Sequence, residues 1–164
     1  MNVRFVRESL FPHPVQRSAT APKQPHTAAT FVAAFFKRYP GLQRYAPTKI
    51  LDKSSGGGGA HPEARQAGNE IHLYPKFWAL DPKTRDFVFT HEIGHYVLSE
   101  YGLPKLIATL NKEGVDAWDS SSLPFGQGNM DEAFADSFAS YFLDPGELKR
   151  RYPAWFTVVH AIVT

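Results

Sequence analysis

Apolar positions change period several times along the chain, and each change marks an expected element. Phe31, Ala34, Phe35 and Arg38 recur at helical spacing until Pro40-Gly41, which predicts a helix from about Thr27 to Tyr39. A short strand is expected around Lys49 to Leu51. Ser54 to Gly59 reads Ser-Ser-Gly-Gly-Gly-Gly, a surface connection. Glu70 to Tyr74 alternates polar and apolar residues with the period of two expected of a half-buried strand. The clearest helix opens at Asp81-Pro82, where aspartate suits the N-cap and proline the first helical position. It should run to about Tyr101 and stop at Gly102, roughly 30 Å at 1.5 Å per residue. Phe87, Val88, Phe89, Ile93, Val97 and Leu98 surround most of its circumference, which makes it a buried central helix.

Further along, Pro104 to Asn111 is expected to be helical, and Gly114 to Gly128 a loop containing Trp118 and Phe125. Met130 to Leu143 carries Phe134, Phe138, Tyr141 and Phe142 as its core stripe. Asp144-Pro145 and Tyr152-Pro153 each look like the start of a short helix. The expected class is α+β, mostly helical with a small antiparallel or mixed sheet. Residues 1–26 hold Pro12, Pro14, Pro22 and Pro25 and read as an extended arm, with a short strand possible at Val3, Phe5 and Val6. Residues 27–164 then form one domain, since 164 residues suffice for one core and hardly for two.

Composition narrows the function more than the fold. Hydrophobic residues make up 43% of the chain and charged residues 21%, the balance of a globular protein. A formal charge of +2, with basic residues scattered apart from Lys149, Arg150 and Arg151, argues against nucleic acid or an anionic membrane as partner. The absence of cysteine removes disulfide scaffolds, thiolate zinc ligands and thiol catalysis together. No run approaches the ~18 apolar residues of a membrane span, and Met1 to Pro14 lacks the apolar centre of a signal peptide. The expected compartment is therefore the cytoplasm, with secretion by another route left open.

The chemistry lies in the central helix, which reads His91-Glu92-Ile93-Gly94-His95. Residues i and i+4 share a helix face, so both imidazoles can reach one ion. Glu92 stands about 100° round the helix from His91, placed to lean over a water without taking a ligand position. A chain of this composition produces such a pattern by chance about once or twice in a hundred. Context lowers that risk, because two histidines and a glutamate on a buried helix need partners.

A third ligand must come from elsewhere, because Leu98 and Tyr101 occupy the places where one variant of the motif has Gly and His. Glu132 and Asp136 are again i and i+4 and face the same way. One can bind the ion while the other holds a ligand imidazole through its remaining N–H. Asn129-x-x-Glu132 also resembles a capping box, which would explain Glu132 but not Asp136. His160 and His72 are the competing third ligands.

His91-Glu92-x-x-His95 followed by Glu132-x-x-x-Asp136 resembles the gluzincin pattern of zinc metallopeptidases. More narrowly, the chain resembles the catalytic domain of anthrax lethal factor and its short relatives, the minimal gluzincins. Asn129 to Phe138 looks like that group's glutamate helix, and Leu148 to Val159, with Pro153 and its aromatics, is also similar. The resemblance covers about Lys49 to Val163 and is specific in the two motif helices. It implies a zincin-like fold, one Zn2+ on His91, His95 and Glu132, Glu92 activating water, and Asp136 orienting a ligand histidine. The group has a tyrosine seven residues before the ligand glutamate, where this chain has Phe125, and phenylalanine donates no hydrogen bond. Tyr96, Tyr101, Tyr141 or His160 would have to replace it, or activity would be weak.

The expected activity is metalloendopeptidase, acting on a peptide or protein substrate. The strand Glu70, Ile71, His72, Leu73, Tyr74, taken as a sheet edge above the helix, would hold an extended peptide, with Trp118 and Phe125 in the loop shaping the pocket. The rival expectation is a weak or inactive protein of the same fold that serves as a structural or partner-binding component. The arm would then contact a partner or neighbouring subunit; a third role for it is that of a pro-segment.

Overall fold

The structure is a computed structural model that describes residues 27–54, 63–116, 123–124 and 128–164. The arm, with Val3, Phe5 and Val6, the glycine run at 56–59, Trp118 and Phe125 lie outside the described residues.

Helix α1 (Ala28–Arg38) is capped at Thr27, whose hydroxyl accepts from the Thr30 N–H while Thr30 reciprocates. A 3-10 turn over Pro40–Tyr45 follows, where Pro40-Gly41 signals by itself only the end of the helix. Strands β1 (Lys49–Asp52), β2 (Ala64–Ala67) and β3 (Glu70–Leu73) form a mixed sheet of order β1-β3-β2. β1 lies parallel to β3, with Ile50 opposite Ile71, and β2 lies antiparallel to it, with Gln66 opposite Ile71. One expectation is overturned here. The Glu70–Leu73 strand is central, flanked on both sides, so its own backbone has no free edge to offer a peptide. Tyr74 lies beyond it, as the N-cap of the one-turn helix α2 (Pro75–Trp78). β2 is an addition to the expected elements, because Ala64-Arg65-Gln66-Ala67 carries no large apolar residue; pairing with β3 makes it a strand.

Helix α3 (Pro82–Tyr101) begins and ends as expected. The Asp81 carboxylate accepts from the Lys83 and Thr84 N–H groups, and Gly102 closes the helix at φ +92°, a left-handed value that favours glycine. Phe87 and Val88 are only partly buried, whereas the stretch from Phe89 to Gly94 is buried throughout. Helices α4 (Leu103–Lys112), α5 (Met130–Leu143), α6 (Pro145–Arg151) and α7 (Pro153–Val163) complete the described chain.

The core joins these elements around aromatic residues. Phe31 and Phe35 of α1 meet Phe89 of α3 edge-on, with ring centroids 5.1 and 4.8 Å apart, and Phe31 meets Phe77 of α2 at 5.1 Å. Ile71 and Leu73 of β3 are fully buried, while Glu70 and His72 alternate to the other face. Arg38 and Tyr39 both donate to the buried Asp86 carboxylate, at 2.7 and 3.1 Å, tying the end of α1 to α3. α3 packs most extensively on α5. Gly94 sets that approach: a Cβ there would stand 2.9 Å from Ala135 Cα and 3.2 Å from its carbonyl oxygen. No described helix is long and apolar enough to cross a membrane.

Candidate metal centre

The Asp81 cap fixes where α3 starts, and its length carries His91 and His95 to the face that meets α5. α5 starts at Asn129, whose side chain accepts from the Glu132 N–H at 2.9 Å. Only that half of the expected capping box is present, because the Glu132 carboxylate turns to the two histidines instead.

Four side chains converge. His95 Nε2 lies 3.0 Å from His91 Nε2, with the two rings nearly perpendicular. Glu132 Oε2 lies 3.3 Å from His91 Nε2, and Oε1 lies 3.6 Å from His95 Nε2. On the far side of the His91 ring, Nδ1 donates to Asp136 Oδ1 at 2.8 Å. One donor atom from each of His91, His95 and Glu132 falls within 4.8 Å of the others, so these three residues can hold a metal ion. A tetrahedral zinc with ligands at about 2.0–2.1 Å spaces its donors by about 3.3–3.4 Å, which these separations approach. Two imidazoles and a carboxylate, with no sulfur in the group, suit zinc among several divalent ions.

Burial is graded across the group. His91 is 6% exposed and Asp136 8%, whereas the His95 and Glu132 side chains retain 17% and 20% of their surface. The site is therefore closed beneath His91 and reachable past His95 and Glu132. Burial alone would push the His91 imidazolium down from its ordinary 6.5. Hydrogen bonds to Asp136 and Glu132, with the charges of Asp136 and Glu92, outweigh it and hold the group up at about 10. A buried cation among carboxylates is what this cluster stabilises, and a metal ion answers the same demand.

Glu92 is 2% exposed and takes no part in the three-ligand group. Its Oε2 accepts from the main-chain N–H of Gln66 in β2 at 2.6 Å. Sequence reasoning missed Gln66. The signal that could have found it is the Gly68-Asn69 pair, a two-residue hairpin turn that implies a strand before Glu70.

The other expected residues fall elsewhere. His72 points to the opposite sheet face from Ile71 and pairs with Glu70 at 2.9 Å; His160 bonds through Nδ1 to the Tyr141 hydroxyl at 2.7 Å. Neither joins the metal group among the described residues. Three of the four expected oxyanion donors have hydrogen-bond partners outside the metal group: Tyr141 and His160 bond to each other, and Tyr101 bonds to Thr109 at 3.1 Å. Tyr96 is half-buried, next to His95 on α3. Compared with protein-family models, with curated proteins and with solved structures, the chain matches none of them.

Proposed function

We propose that this protein is a zinc-dependent metallopeptidase of zincin-like fold, hydrolysing peptide bonds with Glu92 as general base. The observation that carries the reading is the convergence of His91, His95 and Glu132 from two helices, with Asp136 behind His91 and Glu92 outside the ligand set. A structural ion is ordinarily served by four closed ligands; among the described residues this group offers three, with a partly exposed rim, the pattern of a site that keeps a position for water and substrate.

Bound there, zinc makes a water acidic enough to ionise near neutral pH and polarises a peptide carbonyl. The protein supplies the rest. Glu92 takes the proton of the attacking water and passes it to the leaving amine. Asp136 fixes the His91 ring so that Nε2 faces the ion site. Glu132 adds negative charge opposite both imidazoles. Since β3 is central, an extended peptide would add to the outer edge of β2, the strand that lies against α3.

The test is elemental analysis of the wild type beside Glu132→Ala, followed by hydrolysis of casein with Glu92→Gln as control. About one zinc per chain, lost in Glu132→Ala, and casein cleavage abolished in a zinc-loaded Glu92→Gln are expected from three ligands and one base. A wild type that takes up no supplied zinc would overturn the reading and leave a partner-binding protein. Cleavage retained in Glu92→Gln would remove the base from the mechanism.

A further inference from the structure

The hydrogen bond from Gln66 to Glu92 is decided by the register of the β2–β3 hairpin. The Tyr74 N–H donates to the Glu63 carbonyl at 2.9 Å, which makes Glu63 and Tyr74 a hydrogen-bonded pair just outside the ladder. Hydrogen-bonded and open pairs alternate along antiparallel strands. Counting inward, Arg65 opposite His72 is bonded and Gln66 opposite Ile71 is open. The Gln66 N–H therefore points away from β3, to the outer edge of the sheet, and plays no part in the ladder. An outward N–H on an edge strand normally goes to water. Here it meets a carboxylate that is 2% exposed, at 2.6 Å. That distance is short for an N–H donor, which ordinarily lies about 2.7–3.2 Å from its acceptor, and an ionised acceptor shortens such bonds.

We propose that the main-chain N–H of Gln66 is a positioning donor for Glu92, tethering the base to the outer edge of β2 beside the metal ligands. The inference rests on the peptidase reading above and extends it. A glutamate has three side-chain torsions to order, and helix α3 fixes only where they start. The amide fixes where they end. Because the tether comes from the backbone, no side chain at position 66 is required for it, and the requirement is invisible in the residue type. It also marks the point on β2 opposite which the scissile bond lies, since the base is held there and the peptide lies along the same edge.

Gln66→Pro removes this hydrogen atom together with the side-chain donation from Gln66 Nε2 to the Gly68 carbonyl at 2.6 Å, and Gln66→Ala, which loses only the latter, is its control. Proline is tolerated on an edge strand where the N–H faces away from the ladder, so pairing with β3 survives. With zinc-loaded protein and casein as substrate, kcat should fall about 10–100-fold, the range for losing the partner of an active-site group, while zinc content and KM hold. If the amide served the peptide instead, KM would rise with kcat intact, and the proposal would be wrong. A second measurement does not depend on turnover or on the proline variant folding. In wild type the Gln66 amide proton should resonate downfield and exchange slowly with solvent. In Glu92→Ala it should move upfield and exchange faster, on the order of tenfold for one lost hydrogen bond. Gln66→Ala, which retains the N–H, should keep the wild-type signature. An amide unaffected by Glu92→Ala overturns the tether. A zinc-loaded wild type that cleaves nothing overturns the peptidase reading alone, because the exchange comparison still decides the tether.

Discussion

His91 donates from Nδ1 to Asp136 Oδ1 at 2.8 Å, and this one bond determines that Nε2, the other ring nitrogen, faces Glu132 and His95. The two residues stand on different helices, so the bond also registers α5 against α3. Its chemistry follows from direction: a carboxylate behind the ring fixes the tautomer and makes the facing nitrogen a better metal donor.

Asp136→Asn should therefore weaken zinc binding by about 10–100-fold without abolishing it, because all three ligands remain. Competition with a chromogenic chelator measures this. An unchanged affinity would show that packing of the ring suffices and the hydrogen bond is incidental.

Zinc binding should release protons. In the metal-free protein His91 is held up at about 10, so it is protonated near neutral pH, and the ion accepts only the neutral imidazole. Calorimetric titration at about pH 8, in buffers of different ionisation enthalpy, should give at least about one proton per zinc. A value of zero would show that His91 is already neutral.

The same shift sets a pH dependence for the metal-free fold. A pKa raised from 6.5 to about 10 gives stability that is fully present below 6.5 and lost as pH rises through about 10. Thermal melts of metal-free protein between about pH 8 and pH 11 should show a loss that is smaller in Asp136→Asn. Equal losses in the two proteins would assign the effect to other groups.

Gly94→Ala should destabilise the protein although alanine is the better helix former. The added carbon would lie 2.9 Å from Ala135 Cα and 3.2 Å from Phe138 Cβ, so α5 has to move. Overpacking of this kind costs about 1–3 kcal/mol, against about 1 kcal/mol gained in helix propensity. A fall in Tm of about 2–4 °C per kcal/mol is expected, together with weaker zinc binding, since Glu132 and Asp136 ride on the displaced helix. A variant as stable as wild type would mean that the contact has slack.

Asp81→Ala should cost about 1 kcal/mol, the ordinary value of an N-cap, and leave zinc affinity unchanged. Asp81 accepts from the Lys83 and Thr84 N–H groups and from the Thr84 hydroxyl, and that hydroxyl leads in holding its carboxyl below the usual 3.8. Its contribution is present above that value and lost as pH falls through the lower folded one, so the variant's deficit should vanish in acid. Urea melts at neutral and acid pH measure both halves.

Helix α3 is legible from local chemistry, because both of its ends are written in neighbouring residues: a carboxylate and proline at one end, a glycine at the other. The i,i+4 spacings of His91 with His95 and of Glu132 with Asp136 are equally plain, since helix geometry turns spacing into a shared face. Residue order alone therefore settles which side chains can act together on each helix. Packing of the whole chain settles that the two helices bring those faces together, which depends on the close approach at Gly94 and Ala135. It also settles the sheet order, which among the described residues places Glu70–Leu73 at the centre and β2 at an edge, a strand too short and too polar to be recognised alone. One cause underlies both: strand pairing and helix contact join residues distant in sequence through backbone groups, which every residue type carries alike. The Gln66 N–H that holds Glu92 belongs to that class, and only the folded register places it.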